Sequence, residues 1–539
     1  MGSDDTDRDA RLAAATTGMT LAYWAARQPD VPAFVSADGD RTFAQLNANA
    51  NRLARALRAS GLRAGDSVAL MVSNRPEFAE ALAAANRAGL RLTTINWHLT
   101  GEEVSYIASD CEAKAFIADA RFAVAATDAA ARSADRVRGA GARGGAEITR
   151  IAIGGELDGF DRYDEVLAPH DGSDLDDPVL GSSMLYTSGT TGRPKGVHRD
   201  VPSSSAASAS LANIFGYVPG GETVHLCTGP LYHAAPLAFS LAGPLNAGAG
   251  VVVMDGWSAE RTLELIAEHR ITHTHMVPTM FHRLLSLPDD VRDKADVSSL
   301  RLVLHGAAPC PVHVKQALIE WWGPVVVEYY AATEGVGTFV TSDAWLAKPG
   351  TVGKPAAADH ITILDDDGIQ LPAGEIGTVY LKAPDTGRFA YYKDPDKTAS
   401  SYHGNYHTMG DVGYLDDDGF LFLTDRSADL IISGGVNIYP AEIEAALLSH
   451  PAVGDAAVIG VPNDEWGETV VAVVELQPDV EPTPALAGEL IEHCRAHLAR
   501  FKCPRQVDFV DRLPRHDNGK LYKRRLRDEY RERAAERAS

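Results

Sequence analysis

Tyr186-Thr187-Ser188-Gly189-Thr190-Thr191-Gly192-Arg193-Pro194-Lys195-Gly196-Val197 crowds three glycines, four hydroxyls and a lysine into one short stretch behind an apolar lead-in. The glycines let the backbone adopt conformations closed to other residues and leave room for a bulky anion at the amides. The hydroxyls of Thr187, Ser188, Thr190 and Thr191 add donors for phosphate oxygens, and Lys195 adds a mobile positive charge. The order differs from the nucleotide P-loop G-x-x-x-x-G-K-[ST]. Pro194 precedes the lysine, lacks an N–H, and pushes Arg193 away from helical geometry. The stretch reads as a phosphate-binding loop.

Upstream, helical and strand patterns alternate. Phe43 to Leu62 repeats apolar residues at helical spacing and stops at Gly61, and Asp66 to Val72 reads as a short buried strand. Glu77 to Ala88 and Arg91 to Asn96 repeat the pair, which predicts an α/β fold with a largely parallel sheet. Ala129 to Gly145 is rich in Ala, Arg and Gly and reads as a variable connection.

Downstream, Val224 to Cys227 is strand-like, followed by the Tyr232-His233 turn and an Ala-rich helix. Gly250 to Met254 and Ile271 to Val277 are strands with an amphipathic helix between them. His273 and His275 share one strand face with His282 not far beyond, but no carboxylate or cysteine completes a metal set, so they read as strand histidines. Two further strands run into small-residue turns, at His305-Gly306-Ala307-Ala308 and at Glu328-Tyr329-Tyr330-Ala331-Ala332-Thr333-Glu334-Gly335. Such turns hold ligands in open α/β sheets.

From Thr351 the texture shifts to short strands and tight turns, a small β subdomain. Asp365 to Gly368 and Asp416 to Gly419 put consecutive carboxylates where a calcium loop would alternate them, and Asp-Gly between apolar runs predicts hairpins. A last domain starts at Arg426 and carries a basic tail that includes Lys502, Arg505 and Lys520.

Length and charge bound the partners. The 539 residues exceed one ordinary core, so more than one domain is expected. A net charge of −23 argues against nucleic acid or an anionic membrane as the main partner. The five cysteines are scattered without a C-x-x-C pair, which suits a reducing, cytoplasmic location. The first eighteen residues lack a basic region followed by an apolar run and read as a disordered leader rather than a secretory signal; Gly2 and Thr6 match only the short myristoylation pattern. Leu237 to Met254 is too interrupted to span a bilayer.

The phosphate loop resembles that of the adenylate-forming superfamily: acyl-CoA synthetases, peptide-synthetase adenylation domains and beetle luciferases. The resemblance extends in order through Tyr232-His233, HGAAP, YYAATEG, Thr408-Met409-Gly410-Asp411, DRSADLIISGGVNIYPAEIE and Asn518-Gly519-Lys520. It implies a large N-terminal domain, residues 1–425, of two α/β subdomains and a small β subdomain. A smaller, mobile α+β C-terminal lid, residues 426–539, would follow. The implied substrates are ATP, coenzyme A and a carboxylic acid, with Mg²⁺, in a monomer or homodimer.

The resemblance also implies roles. The loop from Thr187 through Ser188, Gly189, Thr190, Thr191 and Gly192 to Lys195 would hold the β- and γ-phosphates, and Thr333 the α-phosphate. Glu334 would hold Mg²⁺. His305, Gly306, Ala307 and Ala308, with Glu328, Tyr329 and Tyr330 and the neighbouring Ala331, would enclose adenine. Asp411 and Arg426 would take the ribose hydroxyls. His233 joins Thr333, Glu334 and Lys520 among the catalytic candidates, with Lys520 bridging the substrate carboxylate and the α-phosphate. Gly434 and Gly435 would line the pantetheine tunnel, with Lys502 and Arg505 on the coenzyme A phosphates. Two positions depart from the family pattern: Ala428 replaces the usual hinge Asp or Lys, and Ala331 replaces the glycine before Thr-Glu.

The leading expectation is an acyl-CoA synthetase acting on a bulky hydrophobic acid, fatty or steroid- or terpenoid-like. Ala234, Ala235, Ala238, Gly306, Ala307 and Gly335 are the small residues behind that expectation. An enzyme that loads a carrier protein or an amino acid is the alternative; the helix after His233 lacks the aspartate that amino-acid activators use. A family member running one half-reaction, or a non-catalytic nucleotide binder, also stays open.

Overall fold

A computed structural model describes residues 3–139, 148–187, 194–199, 215–426, 429–433, 436–463, 467–515 and 521–538. The chain divides into two compact units. One comprises 1–275, 299–302 and 384–399; the other comprises 276–298, 303–383 and 400–539.

The first unit is built on two layered α/β sheets, as the alternating pattern predicts. One has six strands in the order Asp161–Arg162, Thr149–Ile153, Ala113–Asp119, Ser67–Met71, Arg91–Thr94, Ser182–Ser183. Every pair in it is parallel. Parallel strands covered on both faces read as unbroken apolar runs, and Val68, Ala69, Leu70 and Met71 are accordingly all sealed from solvent. Capping boxes start two of the surrounding helices, Thr42 with Gln45 for Phe43–Ala59 and Thr100 with Glu103 for Gly101–Asp110. In the second sheet His273–Met276, Val224–Cys227, Gly250–Val253 and Pro32–Val35 lie in that order, all parallel.

Two expectations need correction here. The leader is helical over Ser3–Thr16, where four alanines favour propagation. Ala123–Gly139 is also one helix, so most of the supposed variable connection is regular. Alanine and arginine are among the best helix formers, which outweighs the loop-like composition.

The histidines of the second sheet form a buried polar layer. His225 lies opposite His273, and Cys227 opposite His275. His273 contacts Phe215 O at 2.8 Å and Thr272 Oγ1 at 2.8 Å, and His225 Nε2 meets Ser240 Oγ at 3.1 Å. Burial lowers the pKa of all three rings, His275 to about 4. Below pH 6.5 the unfolded chain takes up protons that the folded ring refuses, so this stability is present above pH 6.5 and lost as pH falls towards 4. His275→Gln is expected to flatten the decline of melting temperature between pH 6.5 and 4; an unchanged slope would refute the assignment.

In the second unit, Leu302–His305 and Val326–Ala331 are parallel, and Val336–Thr341 returns antiparallel to the latter. The small β subdomain is present as an antiparallel sheet of Ile361–Leu364, Gly377–Lys382, Tyr402–His403, Tyr406–Leu415 and Leu421–Arg426. Both Asp-Gly segments are tight turns, with Gly368 and Gly419 at φ of 77° and 81°. The strand Phe389–Tyr391, however, belongs to the first unit.

The C-terminal part is α+β. Gly467–Leu476 runs between Val453–Asn463 and Gln506–Val510. Side chains alternate across this sheet: Ala456, Val458, Val470, Ala472 and Val474 enter one core, and Ala457, Ile459, Val471 and Val473 another. Burial on both faces explains the continuous apolar runs. Among the described residues, no helix is long and apolar enough to cross a membrane.

Candidate active site

In the first unit the strands on either side of residues 188–194 form an antiparallel ladder. Thr187 lies opposite Lys195 and Tyr186 opposite Gly196. A Cβ at Gly196 would come within 3.1 Å of Met184 and 3.2 Å of the Tyr186 ring, so a glycine suits this close pairing. Tyr186 donates its hydroxyl to Asp110 Oδ2 at 2.5 Å, and Tyr106 donates to Pro194 O at 3.3 Å. Lys195 Nζ donates to Asp394 Oδ2 at 2.6 Å. The carboxylate pushes the lysine's pKa up, and the lysine holds Asp394 below the usual range. Ser188, Gly189, Thr190, Thr191 and Gly192 lie outside the described residues.

The Tyr232-His233 turn is pinned from several sides. Thr94 donates to Tyr232 O at 2.8 Å, and Trp97 meets the Tyr232 ring edge-on at 4.4 Å. The following Ala-rich segment starts as a π-helix, Pro236–Ala242, and continues as an α-helix, Gly243–Ala247. A π-turn widens the helix and recurs at functional sites. Here Leu237, Phe239 and Ser240 are buried, whereas Ala238 is exposed and Ala234 and Ala235 are half-buried. Over 234–242 the accessible side chains, Ala234, Ala235, Ala238 and Ala242, end in methyl groups.

In the second unit, two strand ends carry the remaining candidates. Gly306 packs so closely that a Cβ would lie 2.6 Å from the Tyr329 ring. Ala307 has φ of 69°. That left-handed conformation costs a non-glycine residue about 1–2 kcal/mol and turns the chain sharply after His305. Ala308 is half-buried beside it. Ala332 and Gly335 exchange both backbone hydrogen bonds, at 2.8 and 3.2 Å, so Thr333 and Glu334 sit at a hairpin tip with half-buried side chains. A Cβ at Gly335 would lie 2.8 Å from His407 Nε2.

Tyr330 donates to Asp411 Oδ2 at 2.8 Å, and Asp411 lies opposite Arg426 across the ladder. The side chain of Arg426 is outside the description. Glu328 turns its carboxylate to Lys315, Oε2 to Nζ 2.7 Å, with His305 Nε2 at 3.8 Å. Lys315 is sealed from solvent and sits 4.7 Å from the Trp345 ring centroid. Asp394 and Lys315 were missed by sequence reasoning. Each acts through a partner that folding, not spacing, brings close.

In the C-terminal part, Lys502 Nζ donates to Glu442 Oε2 at 2.5 Å, and Arg505 N donates to Val470 O at 3.0 Å. Ala428, Gly434, Gly435 and Lys520 lie outside the described residues. The strands flanking the two glycines, Ile431–Ser433 and Val436–Ile438, pair antiparallel. Among the described residues, no group of three or more His, Cys, Asp or Glu could hold a metal. A single carboxylate such as that of Glu334 is nevertheless a donor of the kind Mg²⁺ uses, since this ion binds one or two carboxylates and fills its shell with water and substrate phosphates.

Residues 21–391 match the AMP-binding enzyme family and residues 442–520 the AMP-binding enzyme C-terminal domain. The chain is 33% identical over 527 residues to a long-chain-fatty-acid–CoA ligase of Mycobacterium tuberculosis, covering 95% of this chain and 98% of that one. It is 32% identical over 529 residues to a fatty acid–[acyl-carrier-protein] ligase of Streptomyces coeruleorubidus, with 96% of each covered. Among solved structures, an anthranilate CoA ligase in complex with anthranoyl-AMP superposes with a TM-score of 0.82 at 26% identity, over 96% of this chain and 98% of that one. The chain belongs to the AMP-binding enzyme family. Within it, the protein is an adenylate-forming acid–thiol ligase.

Proposed function

We propose that the protein joins a bulky hydrophobic carboxylic acid to coenzyme A at the expense of ATP, through an acyl-adenylate. The observation that supports this reading is the Tyr330–Asp411 hydrogen bond, which orients a carboxylate able to accept ribose hydroxyls against the strand leading to the hairpin of Thr333 and Glu334. The substrate carboxylate attacks the α-phosphorus of ATP and pyrophosphate leaves. The coenzyme A sulfur then attacks the acyl carbon, AMP departs, and the thiol proton passes to solvent. Thr333 contacts the α-phosphate, Lys195 the β- and γ-phosphates, and Asp411 the ribose. Glu334 would hold Mg²⁺, which would offset charge on the phosphates. Residues 426–539 act as the lid, with Lys520 serving adenylation and Gly434-Gly435 the pantetheine arm.

ATP–pyrophosphate exchange measured beside thioester formation, across a panel of acids, tests this reading. Acid-dependent exchange with thioester product supports it. Exchange without thioester redirects it to a carrier-protein or other acceptor, and neither signal with any acid defeats it.

The accessible methyl groups of Ala234, Ala235 and Ala238 support a large acyl group, since filling such a space gains about 25 cal/mol per Å² of apolar surface buried. Ala235→Trp is expected to raise the KM of bulky acids about tenfold or more while sparing short ones, a loss that corresponds to about 1.4 kcal/mol of binding. Wild-type preference for acetate over every larger acid would sink the size assignment.

A further inference from the structure

The strand Lys195–Arg199 that leaves the phosphate loop is paired on both edges. Leu185–Thr187 lies on one side and Phe389–Tyr391 on the other. The second partner is more than a ladder. Tyr392 N donates to Gly196 O at 2.7 Å, and Tyr392 donates its hydroxyl to Glu112 Oε2 at 2.9 Å. Lys393 then takes φ of 58°, and its ammonium reaches Asp110 O at 2.7 Å. A left-handed lysine persists only where its surroundings hold it. That bend aims Asp394 at the loop lysine. One carboxylate oxygen of Asp394 accepts from Lys195 Nζ at 2.6 Å, while the other accepts from Lys397 N at 3.1 Å and caps the next helix. The side chains of Lys195 and Asp394 keep 27% and 22% of their surface exposed, so a competing anion in solution can reach the pair.

We propose that Asp394 sets the affinity for the triphosphate by competing with it for the Lys195 ammonium. The inference rests on the ligase reading above, in which Lys195 serves the β- and γ-phosphates. An ammonium donates three hydrogen bonds, but its single charge cannot be fully neutralised by Asp394 and by phosphate at once. Binding of ATP or release of pyrophosphate therefore exchanges one anion for the other. Asp394 is a positioning residue: it acts through the lysine and touches no reacting atom. AMP carries no β- or γ-phosphate and lies outside the competition.

Asp394→Asn removes the charge and keeps a good helix cap. Calorimetric titration of wild type and this variant with a non-hydrolysable ATP analogue, pyrophosphate and AMP provides the test. The analogue and pyrophosphate should bind about three- to five-fold more tightly to the variant, the range expected for a partly exposed ion pair, with AMP unchanged. In a Lys195→Met background the substitution should have no effect on any of the three. Weaker or unchanged analogue binding, an equal gain for AMP, or a gain that survives Lys195→Met would overturn the proposal. A wild-type protein that binds none of the three would instead defeat the ligase reading itself.

Discussion

Lys520→Ala is expected to slow adenylation by about 10²- to 10³-fold, the usual loss when one donor to a developing charge is removed. Thioester formation from a supplied acyl-adenylate should stay within about threefold of wild type, because no phosphoryl transfer remains in that half-reaction. Two negative groups, the substrate carboxylate and the α-phosphate, must approach before the bond forms. A lysine held between them offsets their repulsion where it is greatest, in the transition state. Lys520→Arg should recover little, since a broad, planar guanidinium does not replace a compact ammonium. Pyrophosphate exchange reads the first step, and thiol consumption from synthetic adenylate reads the second. Equal loss in both would remove Lys520 from the role assigned to it, and a lowered melting temperature would attribute the loss to folding.

The α/β layers were legible because their signals are local. A buried parallel strand needs an unbroken apolar run, as at Val68 to Met71, and a covering helix shows apolar residues at helical spacing, as over Phe43 to Leu62 with its stop at Gly61. The turns Asp365–Gly368 and Asp416–Gly419 were readable for the same reason, since a positive φ demands glycine. The helices Ser3–Thr16 and Ala123–Gly139 were not, because polar and glycine-flanked composition masks strong helix propensity.

The candidate site divides along similar lines. Thr333 and Glu334 were found from a motif, and the hairpin exchange between Ala332 and Gly335 gives that motif a geometry. Asp394 and Lys315 carry no motif. Asp394 reaches Lys195 only because Phe389–Tyr391 leaves the small β subdomain and joins the loop strand. The π-helical form of Pro236–Ala242 was also invisible, because alanine and leucine suit an α-helix equally well. Its buried anchor, Ser240 against His225, depends on a strand contact that no local pattern encodes.

Lys315→Met is expected to destabilise the second unit by about 3–5 kcal/mol, a large effect for one side chain. Its ammonium is sealed from solvent, bonds Glu328 at 2.7 Å and lies against the Trp345 ring. Removing it leaves the Glu328 carboxylate buried without its cation. Burial already raises the pKa of Glu328 against the opposing pull of Lys315, so loss of the lysine raises it further. The sign of the pH dependence follows. A carboxyl with a raised folded pKa favours the fold below its unfolded value near 4.5 and loses that contribution as pH rises through the folded value. The deficit of Lys315→Met should therefore be smaller at pH 5 than at pH 8 in urea unfolding midpoints. Adding Glu328→Gln, which replaces the buried acid by a neutral group of similar shape, should recover much of the loss at pH 8. A deficit equal at both pH values and untouched by the second substitution would show that packing by the lysine stem, not the ion pair, secures the strands that carry His305 and Glu328.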